Sequence, residues 1–357
     1  MDDKTKSKQR LTMAELARLA GVSPSTVSRA LSNNPLVNHQ TRERVQALAR
    51  EHNYQINISA RNFRLRRSST IAVVAPTDPH TGRFAADPFV TDLLASIADT
   101  AADRGYEVLL VKGGTRRDWH ADFIAACRAD GIAAIGGAIP DQGLRELRER
   151  GAPLVVWGIS QPEDVCTVST NNRAGGAAVA RHLLSLGRRR IAFLGDPTTP
   201  EFSMRLQGLR EALDANQPGS GDRVSVIDIP ASDEHLEARL APALATLDAD
   251  AVFAASDLLA LAAIRGLEES GRSVPEDVAV VGYDNTRLAA YSSPSLTTVD
   301  QQIAEGGRLM VDCLRQIIAG ESADTCTLTP RVVVRGSCGA RDKTTAKANG
   351  PKAVVSA

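Results

Sequence analysis

The chain has 357 residues, too many for one compact core and enough for a small module beside a larger one or two. Its 43% hydrophobic and 24% charged residues are those of a globular protein and exclude a fibrous or wholly disordered chain. Formal net charge is zero, yet residues 1–68 hold thirteen Lys or Arg against five acids, so a segment at +8 precedes a body at −8. That asymmetry points to a polyanionic partner for the first segment alone.

Met1–Lys8 is polar and lacks the apolar stretch of a signal peptide. No run of eighteen apolar residues occurs, so no membrane span is expected and the expected location is the cytoplasm. Cys127, Cys166, Cys313, Cys326 and Cys338 are odd in number and never spaced as CxxC. They read as reduced, mostly buried thiols rather than disulfides or metal ligands, and neither metal nor cofactor is expected.

The first element is announced by Thr12-Met13-Ala14-Glu15, a capping box in which hydroxyl and carboxylate each accept from the other residue's amide. A helix over Met13–Ala20 should bury Leu16, Ala17 and Leu19, and Gly21 supplies a left-handed turn. Ser23 is a good N-cap, and Pro24 occupies the first helical position, where its missing N–H costs nothing. The helix Pro24–Leu31 turns Val27, Ala30 and Leu31 inward and leaves Ser25, Thr26, Ser28 and Arg29 outward. Helix, glycine turn and short helix make a helix-turn-helix, whose second helix enters the major groove. Arg29 suits a guanine edge; Ser25 and Thr26 suit bases or a thymine methyl. A third helix should follow Asn38 and reach about His52, packing Val45, Leu48 and Ala49. Asn38, Thr41 and Arg42 at its start suit a phosphate. The competing reading is a plain three-helix bundle with solvated arginines.

Residues 55–69 are polar and arginine-rich. From Thr70 onward, short Ala/Val/Ile runs alternate with amphipathic helices. Strands are predicted at Ile71–Ala75, Glu107–Val111, Ala133–Gly136, Leu154–Trp157, Arg190–Leu194, Val224–Asp228, Ala251–Ala255 and Val278–Tyr283. Helices are predicted at Phe89–Arg104, Arg173–Leu186, Met204–Ala215, Ala238–Thr246 and Leu258–Ser270. The alternation implies an α/β fold with two parallel sheets and a ligand crevice between them. No GxSxG, P-loop, GxGxxG or HExxH motif supports an enzyme, and the six histidines do not cluster at metal spacing.

Thr12–Ala17, Ala20–Leu31 and Asn53-Tyr54 resemble the headpiece of the LacI/GalR family of bacterial repressors. Further on, Asp87-Pro88-Phe89, His182–Gly187 with Ile191–Gly195, Arg205 with Gly208, Ala255-Ser256-Asp257, Val281–Asn285 and Pro294–Val299 resemble its core. The resemblance covers about residues 11–340. It implies a three-helix headpiece (1–56), a hinge helix and linker (57–69), and a two-lobed effector domain resembling periplasmic sugar-binding proteins (70–340). The first lobe is placed at 70–167 and 294–323, and the second at 168–293 and 324–340, with crossings near Val168, Ser293 and Ala323. Residues 341–357 are expected to be a flexible tail. The resemblance also implies a homodimer on a pseudo-palindromic operator; without leucine heptads in the last eighteen residues no tetramer is expected.

The hinge helix implied by the resemblance carries Asn57, Ala60, Arg61, Phe63 and Arg64. Phe63 stands where the family has a leucine wedge into the central base step, and Tyr54 joins the DNA-contacting set. Apolar side chains including Phe can unstack and kink such a step.

For the effector, the resemblance implies Arg205, gripping a hydroxyl or carboxylate, and Asp284. Asp257 and Glu201 are further candidates, with Phe89 and Trp157 offering apolar faces to a sugar ring. Asp284 or Asp257 as a helix cap, and Trp157 as core, remain the alternatives. Asn171 stands where the family often has aspartate, and Ile229–Ala231 lacks an aromatic, which disfavours a stacked purine. A small sugar is the expected ligand and induction the favoured sign. A corepressor-dependent or partner-protein-dependent regulator is the alternative.

Overall fold

The structure is a computed structural model and describes residues 11–31, 33–52, 54, 67–77, 84, 87–114, 118–159, 165–219, 221, 224–229 and 236–340. Two compact units divide between Ser68 and Ser69.

The first unit contains α1 (Met13–Ala20), α2 (Pro24–Leu31) and α3 (His39–Glu51). Thr12 N–H donates to Glu15 Oε2 at 2.7 Å and Glu15 N–H donates to Thr12 Oγ1 at 3.3 Å, closing the expected capping box. Gly21 takes φ +63° at the turn. Leu16, Ala17, Ala20, Val27, Ala30, Val37, Val45 and Ala49 form the core, with Leu31, Leu48 and Tyr54 packed on it. Leu19, expected inside, is 46% exposed: it lies on α1 away from the stripe that Leu16 and Ala20 present to α2 and α3.

The second unit begins with β1 (Thr70–Ala75), β2 (Glu107–Lys112), β3 (Gly131–Ile135), β4 (Leu154–Trp157), β5 (Cys166–Thr170) and β6 (Ile191–Leu194). It continues with β7 (Ser225–Ile227), β8 (Ala251–Ala254), β9 (Ala279–Val281), β10 (Thr298–Asp300), β11 (Cys326–Leu328) and β12 (Arg331–Val333). Its α-helices are α4 (Pro88–Asp103), α5 (Asp141–Glu149), α6 (Asn172–Ser185), α7 (Pro200–Asn216), α8 (Leu236–Ala245), α9 (Asp257–Glu269), α10 (Arg287–Tyr291) and α11 (Ile303–Ile318). All eight strands expected from sequence are present, with ends displaced by up to two residues.

β11-β5-β4-β3-β1-β2 make one parallel sheet and β7-β6-β8-β9 a second. The first sheet is covered on one face by α4 and α11, through Leu93, Ile97, Met310 and Leu314. Its other face is covered by α5 and a π-helical turn, His120–Ala125, through Trp119, Phe123, Leu144 and Leu147. A second core joins Phe193, Phe253 and Tyr283 to α6, α7 and α9. Burying each such large side chain contributes about 1.5–3 kcal/mol. The two sheets are therefore the cores of two lobes.

The lobe boundaries differ from those expected. β5 stays paired in the first sheet through Thr170, and β11 pairs with it, Cys326 opposite Val168 and Leu328 opposite Thr170. Leu296 and Val299 belong to the second core rather than the first. The crossings therefore lie at Asn171, at Gln301-Gln302 and at Thr329-Pro330, each several residues beyond Val168, Ser293 and Ala323. The physical reason is that strand pairing and apolar burial run on to those points. The three crossings are bonded to one another: Asn171 N–H donates to Leu328 O at 3.0 Å, Thr170 Oγ1 to Gln301 O at 3.1 Å and Gln302 Nε2 to Thr329 O at 2.6 Å. β10 and β12 pair antiparallel beside them. The five cysteines are all unpaired; Cys313 and Cys338 are buried and the other three half-buried.

Candidate functional site

In the first unit, Ser23 Oγ accepts from Thr26 N–H at 3.1 Å and lies 2.8 Å from Ser25 Oγ and 2.9 Å from Thr26 Oγ1. This hydroxyl cluster, with Pro24, opens α2. Ser25 and Arg29 are exposed, while Thr26 and Ser28 are half-buried. Asn38 Oδ1 accepts from Thr41 N–H at 2.7 Å and caps α3. Arg42 Nη2 donates to Val37 O at 2.9 Å and Asn34 O at 3.2 Å, so it braces the loop before α3. Tyr54 closes the unit, its N–H on Ala49 O at 2.8 Å and its ring on the core, where burial raises its hydroxyl pKa. Asn57, Ala60, Arg61, Phe63 and Arg64 lie outside the described residues.

In the second unit, the junction of the lobes is built around Arg205 on α7. α6 and α7 pack so closely that a Cβ on Gly176 would collide with the Arg205 backbone carbonyl. This places the Arg205 side chain, only 4% exposed, beside the start of α6. Its Nε donates to Asn172 Oδ1 at 2.8 Å and its Nη1 to the Ala255 carbonyl. The guanidinium carbon lies 3.7 Å from the Tyr283 ring centroid, a cation–π contact.

Asp284 Oδ1 is 4.0 Å from Arg205 Nη1 and accepts from Gln301 Nε2 at 2.5 Å. Its φ is +123°, a conformation costly for a residue with a Cβ, held by its N–H on Val299 O at 2.9 Å. Burial holds this carboxyl well above the usual range, against the pull of Arg205. Asp87, the N-cap of α4 in the first lobe, accepts from Phe89 N–H at 2.8 Å and is raised by burial, with Arg205 and Asp284 both within electrostatic reach.

Asp257 is not aimed at a ligand. Thr298 Oγ1 donates to its Oδ1 at 2.5 Å, and Thr286 donates to its Oδ2 from N–H at 2.7 Å and from Oγ1 at 3.0 Å. It braces the loops behind the cleft, and burial pushes it up to about 6. Glu201 at the start of α7 reaches across the lobes to accept from Ile159 N–H at 3.3 Å. Trp157 is a core residue, 5% exposed, against α11 at Gly306; Phe89 stands half-buried 5.7 Å from it, between core and cleft.

Arg205 and Asp284 stand together as expected, Glu201 bonds across the lobes and Phe89 lies beside Trp157; Asp87, Asn172 and Gln301, which had no role in the sequence reading, join Arg205 and Asp284 there. Asp87 stood in the motif Asp87-Pro88-Phe89, whose N-cap chemistry was readable. Asn172 and Gln301 carry no local signal. Asn171, noted as a departure, is the N-cap of α6, accepting from Ala174 N–H at 2.9 Å.

Residues 12–57 match the family described as bacterial regulatory proteins, lacI family, and residues 180–338 match the periplasmic binding protein-like domain. The transcriptional regulator CelR of Thermobifida fusca is 35% identical over 334 residues, covering 90% of this chain and 96% of CelR. The chain belongs to the lacI family. As a lacI-family protein it is a DNA-binding transcriptional regulator and not an enzyme. A solved CelR–cellobiose complex is 33% identical with a TM-score of 0.64, covering 92% of this chain and 100% of that one. The lac repressor dimer bound to operator and the anti-inducer ONPF is 25% identical with a TM-score of 0.77, covering 93% and 100%. Among the described residues no helix is long and apolar enough to cross a membrane.

Proposed function

We propose that this lacI-family regulator is a cytoplasmic homodimeric repressor of sugar uptake or catabolism genes, released from its operator by a small sugar. The observation that carries the reading is the buried Arg205–Asp284 pair, 4.0 Å apart at the junction of the lobes. A guanidinium and a carboxylate together both donate and accept, as sugar hydroxyls do. The cellobiose bound in the solved CelR complex supports this ligand class.

On the DNA side, α2 enters the major groove, with Ser25, Thr26, Ser28 and Arg29 toward base edges and Thr12, Ser23, Asn38, Thr41 and Tyr54 toward the backbone. Phe63, flanked by Asn57, Ala60, Arg61 and Arg64, wedges into the operator centre from the minor groove. The dimer reading is supported by Leu288 and Tyr291 on α10, exposed at 48% and 86% and one helical turn apart.

Effector binding changes the angle of the lobes about the three bonded crossings, and operator affinity responds through linkage. The test is a duplex selected from a randomised pool by the full-length chain, with a sugar panel then screened by thermal shift. A salt-sensitive, sequence-selective grip and a sugar that raises the melting temperature are expected. No selected duplex would overturn the reading.

A further inference from the structure

We propose that Gln46 on α3 is a positioning residue for operator recognition: its carboxamide ties down the last turn of α2 and so sets sequence selectivity through α2. This inference rests on the reading that α2 lies in the major groove, and it adds a residue that the reading does not use.

α2 has eight residues, too few for its own hydrogen bonds to hold it. Val27 and Ala30 bury one face of it, but apolar contact is non-directional, so the ties at its ends set its direction. At its C-terminal end Arg29 O accepts from Asn34 N–H at 2.9 Å and Ala30 O from Asn33 N–H at 3.2 Å. Asn33 has φ +55°, a left-handed turn that Asn tolerates. These are bonds between near neighbours in the chain. Gln46 bonds the same turn from another helix: its Nε2 donates to Asn33 Oδ1 at 2.8 Å and to Ala30 O at 3.4 Å. The Ala30 carbonyl can only accept, so the amide must turn its NH2 that way, and the second hydrogen then meets Asn33. Arg42, one turn earlier on α3, bonds Asn34 O and Val37 O in the loop beyond. Gln46 reaches α2 itself.

Base-edge hydrogen bonds need a helix held at one angle, whereas attraction to phosphates needs only charge. Gln46 is uncharged, so replacing its amide leaves the charge of the headpiece as it was. Freeing the end of α2 moves Arg29, in its last turn, off a base edge. Loss of the brace therefore lowers selectivity and spares the sequence-independent grip. A purely structural role behaves differently. A headpiece that is folded for a smaller fraction of the time binds every duplex less by that same fraction, and the ratio between duplexes stays constant.

The test measures affinities of the full-length protein, by fluorescence anisotropy over a series of salt concentrations, for the selected duplex and for a shuffled duplex of the same composition. Gln46→Met keeps the length and helix propensity of the side chain and removes its donors. The selected-to-shuffled ratio is expected to fall by about tenfold, with the shuffled affinity and its salt slope as in wild type. Asn33→Gly keeps the left-handed turn and removes the acceptor, so it should lower the ratio too. The double variant should then be no less selective than Q46M alone, since both changes break one brace. Arg29→Ala reports on α2 itself. A ratio unchanged in Q46M, an equal fall on both duplexes, or additive losses in the double variant overturns the inference. In each case a loss of selectivity in R29A leaves the α2 reading standing. An unchanged ratio in R29A removes that reading, and this inference with it.

Discussion

Gln301 Nε2 donates to Asp284 Oδ1 at 2.5 Å, while the Gln301 carbonyl accepts from Thr170 Oγ1 at 3.1 Å. One residue thus ties the pocket acid to the first and second crossings between the lobes. A buried carboxylate that loses such a donor pays its full desolvation penalty. Gln301→Ala is therefore expected to lower unfolding free energy by about 1–3 kcal/mol. In the same variant the sugar-induced change in operator affinity should shrink. Urea unfolding and anisotropy titrations measure the two effects separately.

Gly158 has φ +109°, and a Cβ there would lie 2.7 Å from Glu201 Oε1. Gly158→Ala should break the Glu201–Ile159 hydrogen bond and strain the backbone, costing about 1–3 kcal/mol. Glu201→Ala removes the same hydrogen bond without the strain. If the cross-lobe contact stabilises the closed cleft, both variants should weaken binding of the sugar found in the panel, and the double variant should weaken it less than additively.

Burial pushes Asp257 up to about 6 from an ordinary 3.8. Between those values the folded protein holds a proton that the unfolded chain has released, so this group's contribution to stability is full below pH 4 and is lost as pH rises through 6. Asp257→Asn abolishes that titration. The variant loses stability at every pH because the amide cannot serve Thr286 and Thr298 equally, but its deficit relative to wild type should diminish from pH 4 to pH 7. Paired thermal unfolding across that range checks the trend; a deficit that grows with pH would be the opposite result.

Arg29 and Arg42 should separate cleanly. Arg29→Ala should cost about 1–3 kcal/mol of operator binding if it reads a guanine. Arg42→Ala removes two hydrogen bonds to backbone carbonyls. It should destabilise the headpiece by about 1–2 kcal/mol, with loss of operator affinity following from unfolding. Circular dichroism of the full-length chain at low salt distinguishes the two.

The helices and strands were legible because each obeys a local rule. Thr12 with Glu15, Ser23 with Pro24, and Asn38 are helix starts written in neighbouring residues, and alternating Ala/Val/Ile runs are buried parallel strands. Arg205 and Asp284 were reachable through resemblance. What local rules could not reach is long-range. The crossing at Gln301 depends on Leu296 and Val299 choosing the second core, and on β11 pairing with β5 across 158 residues. The bracing by Arg42 is hidden for a related reason: a cation near a helix start suits a phosphate, and only the folded loop brings the Asn34 and Val37 carbonyls to it. Asp257 looked like a pocket acid until Thr286 and Thr298 were placed on its oxygens.

The central claim is that sugar in the Arg205–Asp284 cleft controls DNA binding by the headpiece. Fluorescence anisotropy of the selected operator duplex, titrated with full-length protein at fixed salt with and without saturating sugar, tests it most directly. The account predicts at least roughly tenfold weaker operator binding with sugar, an effect typical of coupled sites, and its loss in Arg205→Ala. Operator affinity that is unchanged by a sugar shown to bind, or that rises with it, would contradict the account.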